Sequence, residues 1–339
     1  MASPERRDSG AVASSFVADG GARHAPQARH APQARHAPQA RQAPQARHTG
    51  RVRLGPLLFS GIVMLAAAGM SGCAAGNDDV APAQRSSAQD ANPELANARV
   101  HPAFDLTPAE LTELVAATPD AVREAIAERP ARFLELIARV IDEPRDRTLL
   151  VDKQNPLPEG YVPDALIDLD TLDDELALSR PGHRLTAATV AALVRMGHAA
   201  REDGITLLVS SAYRSYDYQA DLFDRWVAEL GEEEAELVSA RPGTSQHQLG
   251  TTVDFGCICD AFASEPAGIW LAENAWRFGF SLSYPRGYAE TTGYSYEPWH
   301  FRYIGSDAAR LEHEFFQGIQ QWMLEFLHAN EAEIEQRIS

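Results

Sequence analysis

The sequence predicts an α+β fold, a small antiparallel sheet flanked by helices and preceded by a small helical segment. Two observations carry this. Four short apolar runs, ITLLVS, TTVDFG, GFSLSYP and PWHFRYIG, have strand length and are linked through stretches with helical apolar spacing. No glycine-rich phosphate turn joins strand to helix, and the residues between about 106 and 141 carry helical signals alone.

In chain order, residues 1–53 form a leader in which HAPQAR occurs three times in tandem, followed by QAPQAR. Each copy has a proline and no apolar face, so the leader is expected to be disordered. Residues 54–70, LGPLLFSGIVMLAAAGM, make the only long apolar run. Arg47, Arg51 and Arg53 precede it, and Ser71, Gly72 and Cys73 follow, which is the pattern of an export signal. The run is short for a spanning helix, which needs roughly 20 residues. Its ending, Met70-Ser71-Gly72-Cys73, resembles a bacterial lipoprotein signal, with methionine where such signals usually have leucine. That resemblance implies lipidation of Cys73 and an exported, periplasmic, membrane-anchored lipoprotein. An uncleaved membrane anchor is the alternative, and it too leaves the rest of the chain exported. Residues 74–100 are small and polar, a tether.

Regular structure is expected from Leu106. Thr107 suits an N-cap, Pro108 the first helical position and Glu110 the capping-box acid. Leu111, Leu114 and Val115 supply the apolar face. Thr118-Pro119-Asp120 opens a second helix through Val122 and Ile126, and a third runs from about Pro130 to Ile141. These helices mark a segment at 101–145, ahead of the main domain at 146–339. There LLVDKQNPLPEGYVPDALIDL reads as an extended segment wrapping a core. Residues 186–202 follow as a helix with Val190, Leu193, Val194 and Gly197 on one side. Gly204 ends it, and ITLLVS (205–210) reads as a buried strand. After the loop SAYRSYDYQ, a helix passes through Leu222, Phe223, Trp226 and Leu230. TTVDFG is the second strand, 266–278 a helix, GFSLSYP the third strand and PWHFRYIG the fourth. A long amphipathic helix is expected from Asp307.

The formal net charge is −18. Residues 1–72 hold nine arginines and three acids, so the remainder is more acidic still, which argues against nucleic acid as a partner. Lys153 is the only lysine and reads as a coding bias toward arginine. Cys257 and Cys259 are too few for a structural zinc site, which normally takes four ligands. They fit a structural role as a local disulfide or as buried thiols.

Seven histidines follow Cys73. His101, His198, His313 and His328 lie on helices or tethers without partners at useful spacing, and His183 reads as a turn residue. His247 alone would also be structural. SQHQLGTTVDFG, however, sets it seven positions before Asp254, and Gly250 with Thr251-Thr252-Val253 disfavours helix between them. A turn into a strand would join the two. YEPWHFRY then supplies Glu297 and His300, starting 43 residues after Asp254. Pro298 biases Glu297 away from helix. Glu297 therefore ends a loop, and His300 lies in a strand whose Trp299, Phe301 and Tyr303 face the other way. His247, Asp254 and His300, with one position left for water, have the composition of a catalytic zinc site. Glu297 is then the base that takes a proton from the acidified water. Arg214, in the loop after ITLLVS, is the candidate to stabilise an oxyanion, against the alternative of a surface salt bridge.

S-x-H-x-x-G-x-x-x-D, a later E-x-W-H and an upstream Y-R-S-x-x-x-Q together resemble the zinc D-alanyl-D-alanine carboxypeptidases of the VanY type. Their wider group includes L,D-carboxypeptidases, D-Ala-D-Ala dipeptidases and the Hedgehog signalling domain. LLVDKQNPLPEGYVPD, WLAENAWRFGFSLSYPRG and TGYSYEPWHFRYIG extend the resemblance to roughly residues 148–305. It implies a Hedgehog/D-Ala-D-Ala peptidase-like fold, Zn2+ held by His247, Asp254 and His300, and Glu297 as catalytic base. It further implies Arg214 as transition-state stabiliser, with Ser245 and Gln219 contacting substrate. Thr252 stands where that motif usually has alanine, which alters the pocket floor but removes no ligand. The implied activity is removal of C-terminal D-alanine from peptidoglycan stem peptides, with L,D-carboxypeptidase, dipeptidase or endopeptidase action on the same site as alternatives. A non-catalytic wall-binding module on the same fold would have no need of Glu297.

Overall fold

The computed structural model describes residues 98–338 apart from 159, 173 and 174. The repeat leader, the apolar segment with Cys73 and almost all of the tether lie outside the described residues. Among the described residues, no helix is long and apolar enough to cross a membrane.

Helix α1 (Pro108–Leu114) begins with the capping box read from the sequence: the Thr107 hydroxyl accepts from Glu110 N–H, and the Glu110 carboxylate accepts from Thr107 N–H at 2.9 Å. Helices α2 (Asp120–Glu128) and α3 (Pro130–Ile141) follow. Next come β1 (Leu166–Asp168), β2 (Ala177–Leu178), β3 (Arg184–Thr186), α4 (Ala187–Glu202) and β4 (Leu208–Ser211). After these stand α5 (Tyr216–Leu230), α6 (Glu232–Val238), β5 (Thr252–Phe255), α7 (Pro266–Asn274), β6 (Phe280–Leu282) and α8 (Ala289–Thr292). Strand β7 (His300–Tyr303), α9 (Ser306–Phe315) and α10 (Gln320–Arg337) complete the chain.

Several elements depart from expectation for local reasons. The strand expected at 205–210 starts only at Leu208, because Ile205 N–H still donates to Ala200 O at the end of α4. The helix expected from Asp307 is two helices, interrupted where Gln317 (φ 56°) and Gly318 (φ 71°) enter the left-handed region. Strands β1, β2 and β3 have two or three residues each, too few to register as a period-two pattern. Cys257 and Cys259 are joined as a disulfide.

The main sheet has the order β2-β4-β5-β7-β6, all pairs antiparallel except β2 with β4. β1 and β3 form a separate antiparallel pair. One face of the main sheet buries Val253, Phe255, Phe280, Phe301 and Tyr303 against Leu193 and Met196 of α4 and Leu271 of α7. Trp299, Phe301 and Tyr303 belong to this core, as the strand alternation required. That leaves Asp254 and His300 to project from the opposite face. A second core joins α1, α2 and α3 to α9 and α10 through Phe133, which meets Phe315 (5.3 Å) and Phe326 (5.7 Å) edge to face. An isolated antiparallel bridge between Phe104 and Ile338 ties the two ends of this core together.

Within α9, Glu312 is buried and its Oε2 has no hydrogen-bond partner. Burial pushes its carboxyl up to about 8, with a partial offset from Ser281. The unfolded chain sheds this proton near the ordinary carboxylate range while the native state keeps it. Stability is therefore lost as pH rises from that range to about 8, and no further. Glu312→Gln should accordingly raise the melting temperature at pH 8, by the equivalent of roughly 2 kcal/mol or more, with the gain vanishing below pH 4. Thermal melts across this range check it; a pH-independent difference would contradict the burial argument.

Candidate active site

His247 lies on a short 3-10 turn, Gln246–Leu249, that ends at Gly250. Gly250 sits at φ 67°, and a Cβ there would come within 2.8 Å of Leu166 Cδ2, so both backbone conformation and space require glycine. The turn delivers the chain into β5, where Asp254 pairs in register with His300 of β7. His247 Nε2 stands 3.2 Å from Asp254 Oδ2, and His300 Nδ1 stands 3.3 Å from Asp254 Oδ1. The imidazoles meet edge to face at 4.8 Å. All three residues are buried, and a nitrogen of each histidine and an oxygen of Asp254 lie within 4.8 Å of one another.

The protonation of His247 is set by its far nitrogen. Nδ1 lies 2.7 Å from the carbonyl oxygen of Ala212, so that nitrogen carries the proton and donates it. Nε2 is then a lone pair pointing at a carboxylate, and neither it nor Asp254 Oδ1 has a hydrogen-bond partner. Burial, reinforced by Arg214, lowers His247 to about 4, so protonation does not relieve the contact at neutral pH. Burial would raise Asp254, but the two histidines outweigh it and hold the carboxyl well below its usual range. Lone pairs facing one another in a dry site call for a cation among them. Two imidazole nitrogens and a carboxylate are the donor set of an open divalent-metal site, and a cation there displaces any proton on the nitrogen it meets. His300 is also buried, which would lower it, but Asp254 and Glu297 raise it overall.

Glu297 approaches from the loop before β7, with Oε2 3.1 Å from His300 Nδ1. Its N–H donates to Tyr284 O, and its carbonyl accepts from His300 N–H, so the side chain starts from a fixed backbone. It is more exposed (14%) than Asp254 (6%), which puts it at the mouth of the cluster. Arg214 is not a surface ion pair. Its side chain is 19% exposed, Nη2 stands 3.8 Å from Asp254 Oδ2, and Nε is buried without a partner. Ser245 is buried immediately before the ligand turn. Gln219 is buried on α5, and its amide donates to Ser239 Oγ (3.2 Å) and Ala240 O (2.7 Å), so its donor end braces the loop that leads to Ser245. The remaining histidines stay outside the cluster: His198 pairs with Glu175, and His313 stacks on Trp276 at 4.0 Å.

The sequence reading missed two tyrosines. Tyr284 packs on His300 (4.6 Å between ring centroids) and Tyr294 on Tyr284 (4.7 Å). Burial, with the Tyr294 and Glu297 charges, pushes the Tyr284 phenol well above 10, so it is a neutral O–H donor beside the cluster. In SLSYP and TGYSY these rings look like ordinary strand and loop aromatics, and nothing in their spacing singles them out. Also missed was the anchorage of the ligand turn. Gln246 donates to Gln320 Oε1 of α10 (3.0 Å) and accepts from Ser283 Oγ (2.7 Å).

The VanY model, D-alanyl-D-alanine carboxypeptidase, matches residues 182–306. A D-alanyl-D-alanine carboxypeptidase of Enterococcus faecalis is 35% identical over 212 residues, 59% of this chain and 75% of that one. YodJ of Bacillus subtilis is 38% identical over 178 residues; the match spans 50% of this chain and 64% of YodJ, somewhat under two thirds of its length. Among solved structures, a vancomycin-resistance D,D-pentapeptidase VanY in complex with Zn(II) is 36% identical, with 54% of this chain and 99% of that chain covered and a TM-score of 0.44.

If the facing lone pairs hold a divalent ion, one Zn2+ per chain should bind and raise the melting temperature, and His247→Ala should abolish both effects. Gln246→Ala or Gln320→Ala should weaken metal affinity about tenfold, as loss of a supporting hydrogen bond does. Isothermal titration with metal reads all three; a wild-type chain that takes up no ion would refute the assignment.

Proposed function

This chain belongs to the VanY family of D-alanyl-D-alanine carboxypeptidases, and from that premise we propose that it is a zinc-dependent carboxypeptidase that removes a C-terminal D-alanine from peptidoglycan stem peptides. The observation that carries the reading is the convergence of His247, Asp254 and His300 with a free-standing carboxylate, Glu297, 3.1 Å from His300 Nδ1. A binding module would have no use for that fourth group.

Zinc, held by His247 Nε2, Asp254 and His300 Nδ1, would supply a Lewis acid that acidifies water and polarises the scissile carbonyl. The chain's own residues do the rest. Glu297 accepts the proton of the attacking water and returns it to the amine nitrogen as the C–N bond breaks. Arg214, fixed against Asp254 and largely withdrawn from solvent, offers positive charge to the oxygen that becomes negative. Asp254 keeps its charge throughout, held by the two histidines. Tyr284 closes the side of His300 to bulk water and keeps its proton to give as a hydrogen bond.

The lipoprotein-type segment ending at Cys73 belongs to the same reading. Lipidation there would put the enzyme on the membrane with its tether reaching the wall, supported by the arginine flank, the apolar run and the small residues before the cysteine. A fatty-acid label should enter the wild-type chain and be absent from Cys73→Ser. A membrane-associated wild-type chain that takes up no label would favour an uncleaved anchor.

The activity itself is tested by incubating the zinc-loaded protein with defined muropeptides and following products by mass spectrometry. Loss of one alanine from pentapeptide, with Glu297→Gln slower by roughly 10²–10⁴-fold at full metal occupancy and Arg214→Ala slower by about 10²-fold, is the expected result. Cleavage of tetrapeptide alone would make the enzyme an L,D-carboxypeptidase. Metal binding without cleavage of either would leave a wall-binding module.

A further inference from the structure

Lys153 is the only lysine among 339 residues, and its surroundings are not those of a residue placed by coding bias. The side chain runs along Gly293, with Cδ 3.3 Å and Cε 3.4 Å from where a Cβ would be, and its ammonium lies over the Tyr294 ring, 4.8 Å from the centroid. Gly293 adopts φ 78° and leaves room for this stem. Among the described residues Lys153 makes no ion pair. It opens on a cavity of about 310 Å³ lined also by Gln154, Glu236, Ser239, Arg241 and Thr244.

The two cations of that cavity differ in their partners. Arg241 is engaged by both Glu232 and Glu236. Lys153 is the lining cation that no carboxylate contacts among the described residues, in a chain whose net charge is −18. A hydroxyl donor stands beside it: Ser239 Oγ accepts from Gln219 and so keeps its own proton to give, whereas the Thr244 hydroxyl donates to Arg241 O at 3.0 Å. The cavity borders the loop that runs to His247, and a chain of ring contacts links it to the metal-ligand cluster. Lys153 stacks on Tyr294, Tyr294 on Tyr284 and Tyr284 on His300, with each step under 5 Å.

We propose that Lys153 and the Ser239 hydroxyl form an anion subsite that takes a free carboxylate on the retained part of the peptide substrate, upstream of the scissile bond. This rests on the carboxypeptidase reading above and adds a substrate preference to it. Two aromatic side chains stand between Lys153 and His300, so the ammonium is removed from the leaving residue. Steps of this size reach no farther than roughly four extended residues at ~3.4 Å each. The partner is therefore a carboxylate carried within about four residues of the cleavage point, and a peptide with that group amidated loses the contact. Such a charge contact at the rim of a site is worth roughly three- to tenfold.

Because the lysine is unique, it can be observed directly. Reductive ¹³C-dimethylation of the full chain labels Lys153 and the α-amine, which separate by their titration, and keeps the positive charge. Metal-loaded Glu297→Ala protein would be titrated with two peptides that differ only in a carboxylate or carboxamide on the retained portion. The Lys153 methyl signal should shift with the acidic peptide and stay unmoved with the amide. In parallel, wild-type kcat/KM should favour the acidic peptide roughly three- to tenfold, Lys153→Arg should keep most of that preference, and Lys153→Met should bring the ratio close to one. An unmoved signal at saturating acidic peptide, or an undiminished preference in folded Lys153→Met, overturns the subsite. Failure of the carboxypeptidase reading looks different: neither peptide would be cut by the wild-type chain, while the Lys153 signal would still report whether the carboxylate binds.

Discussion

Asp254 and His300 face each other across two neighbouring strands, and everything at the site depends on that register. Side chains alternate along a strand, so a slip of one residue would send His300 into the apolar core and bring Phe301 into the cluster. The register is held from both sides. Val253 and Phe301, paired one step along, are buried in the core behind the sheet. On the near side, Arg302 is buried at the next same-face position, and its Nη2 donates to the carbonyl oxygens of Arg147 (2.9 Å) and Leu149 (2.8 Å). An arginine in that position is costly to bury, and burial lowers it to about 10. It fastens the extended segment that carries Asp152 and Lys153 onto the same strand that carries His300.

The cluster shows how polarity is tolerated where it is functional. A carboxylate removed from water between two imidazoles is unfavourable unless something positive completes it. Arg214 at 3.8 Å contributes, but it leaves Asp254 Oδ1 and His247 Nε2 unsatisfied. The buried side chains toward α10 differ. Gln246, Ser283 and Gln320 satisfy one another, and Gln321 is bonded to both Asp152 (2.8 Å) and Glu325. These interactions attach α10, which lies beyond the residues matched by the family model, to the loop that presents His247. The side chains that hold the turn through Ser283 and Gln320 are thus bonded to one another, while His247 Nε2 and Asp254 Oδ1 at the centre are not.

Much of the site was readable because its constraints are local. Seven residues from His247 to Asp254, with Gly250 between, can be only a turn into a strand, and Pro298 keeps Glu297 and His300 off a helix. The capping box at Thr107 and Glu110 was legible for the same reason. What escaped reading depends on contacts between distant segments. Gln219 carries the right side chain for a substrate contact, yet its donors are committed to Ser239 and Ala240, twenty positions on. Arg214 could be placed in its loop, but whether it faced solvent or Asp254 was decided by the β4–β5 pairing. Tyr284, Tyr294 and Lys153 carry no period and acquire meaning only when the loops before and after α8 close on the segment at 152–155. The break at Gln317 and Gly318 was hidden because the apolar spacing on either side is helical.

The bridge between Phe104 and Ile338 has a consequence for the order of assembly. One core draws on residues from both extremes of the described chain, so its contacts have nearly the largest sequence separation the domain allows. Contacts of that kind form late and slow folding, because the intervening loop must be closed before they are rewarded. Until the last helix arrives, Phe133 and its neighbours lack Phe315, Phe316 and Phe326, and Gln246 lacks Gln320. A nascent or truncated chain thus holds His247, Asp254 and His300 without the support that positions His247, and the cluster takes its final form only once α10 has docked.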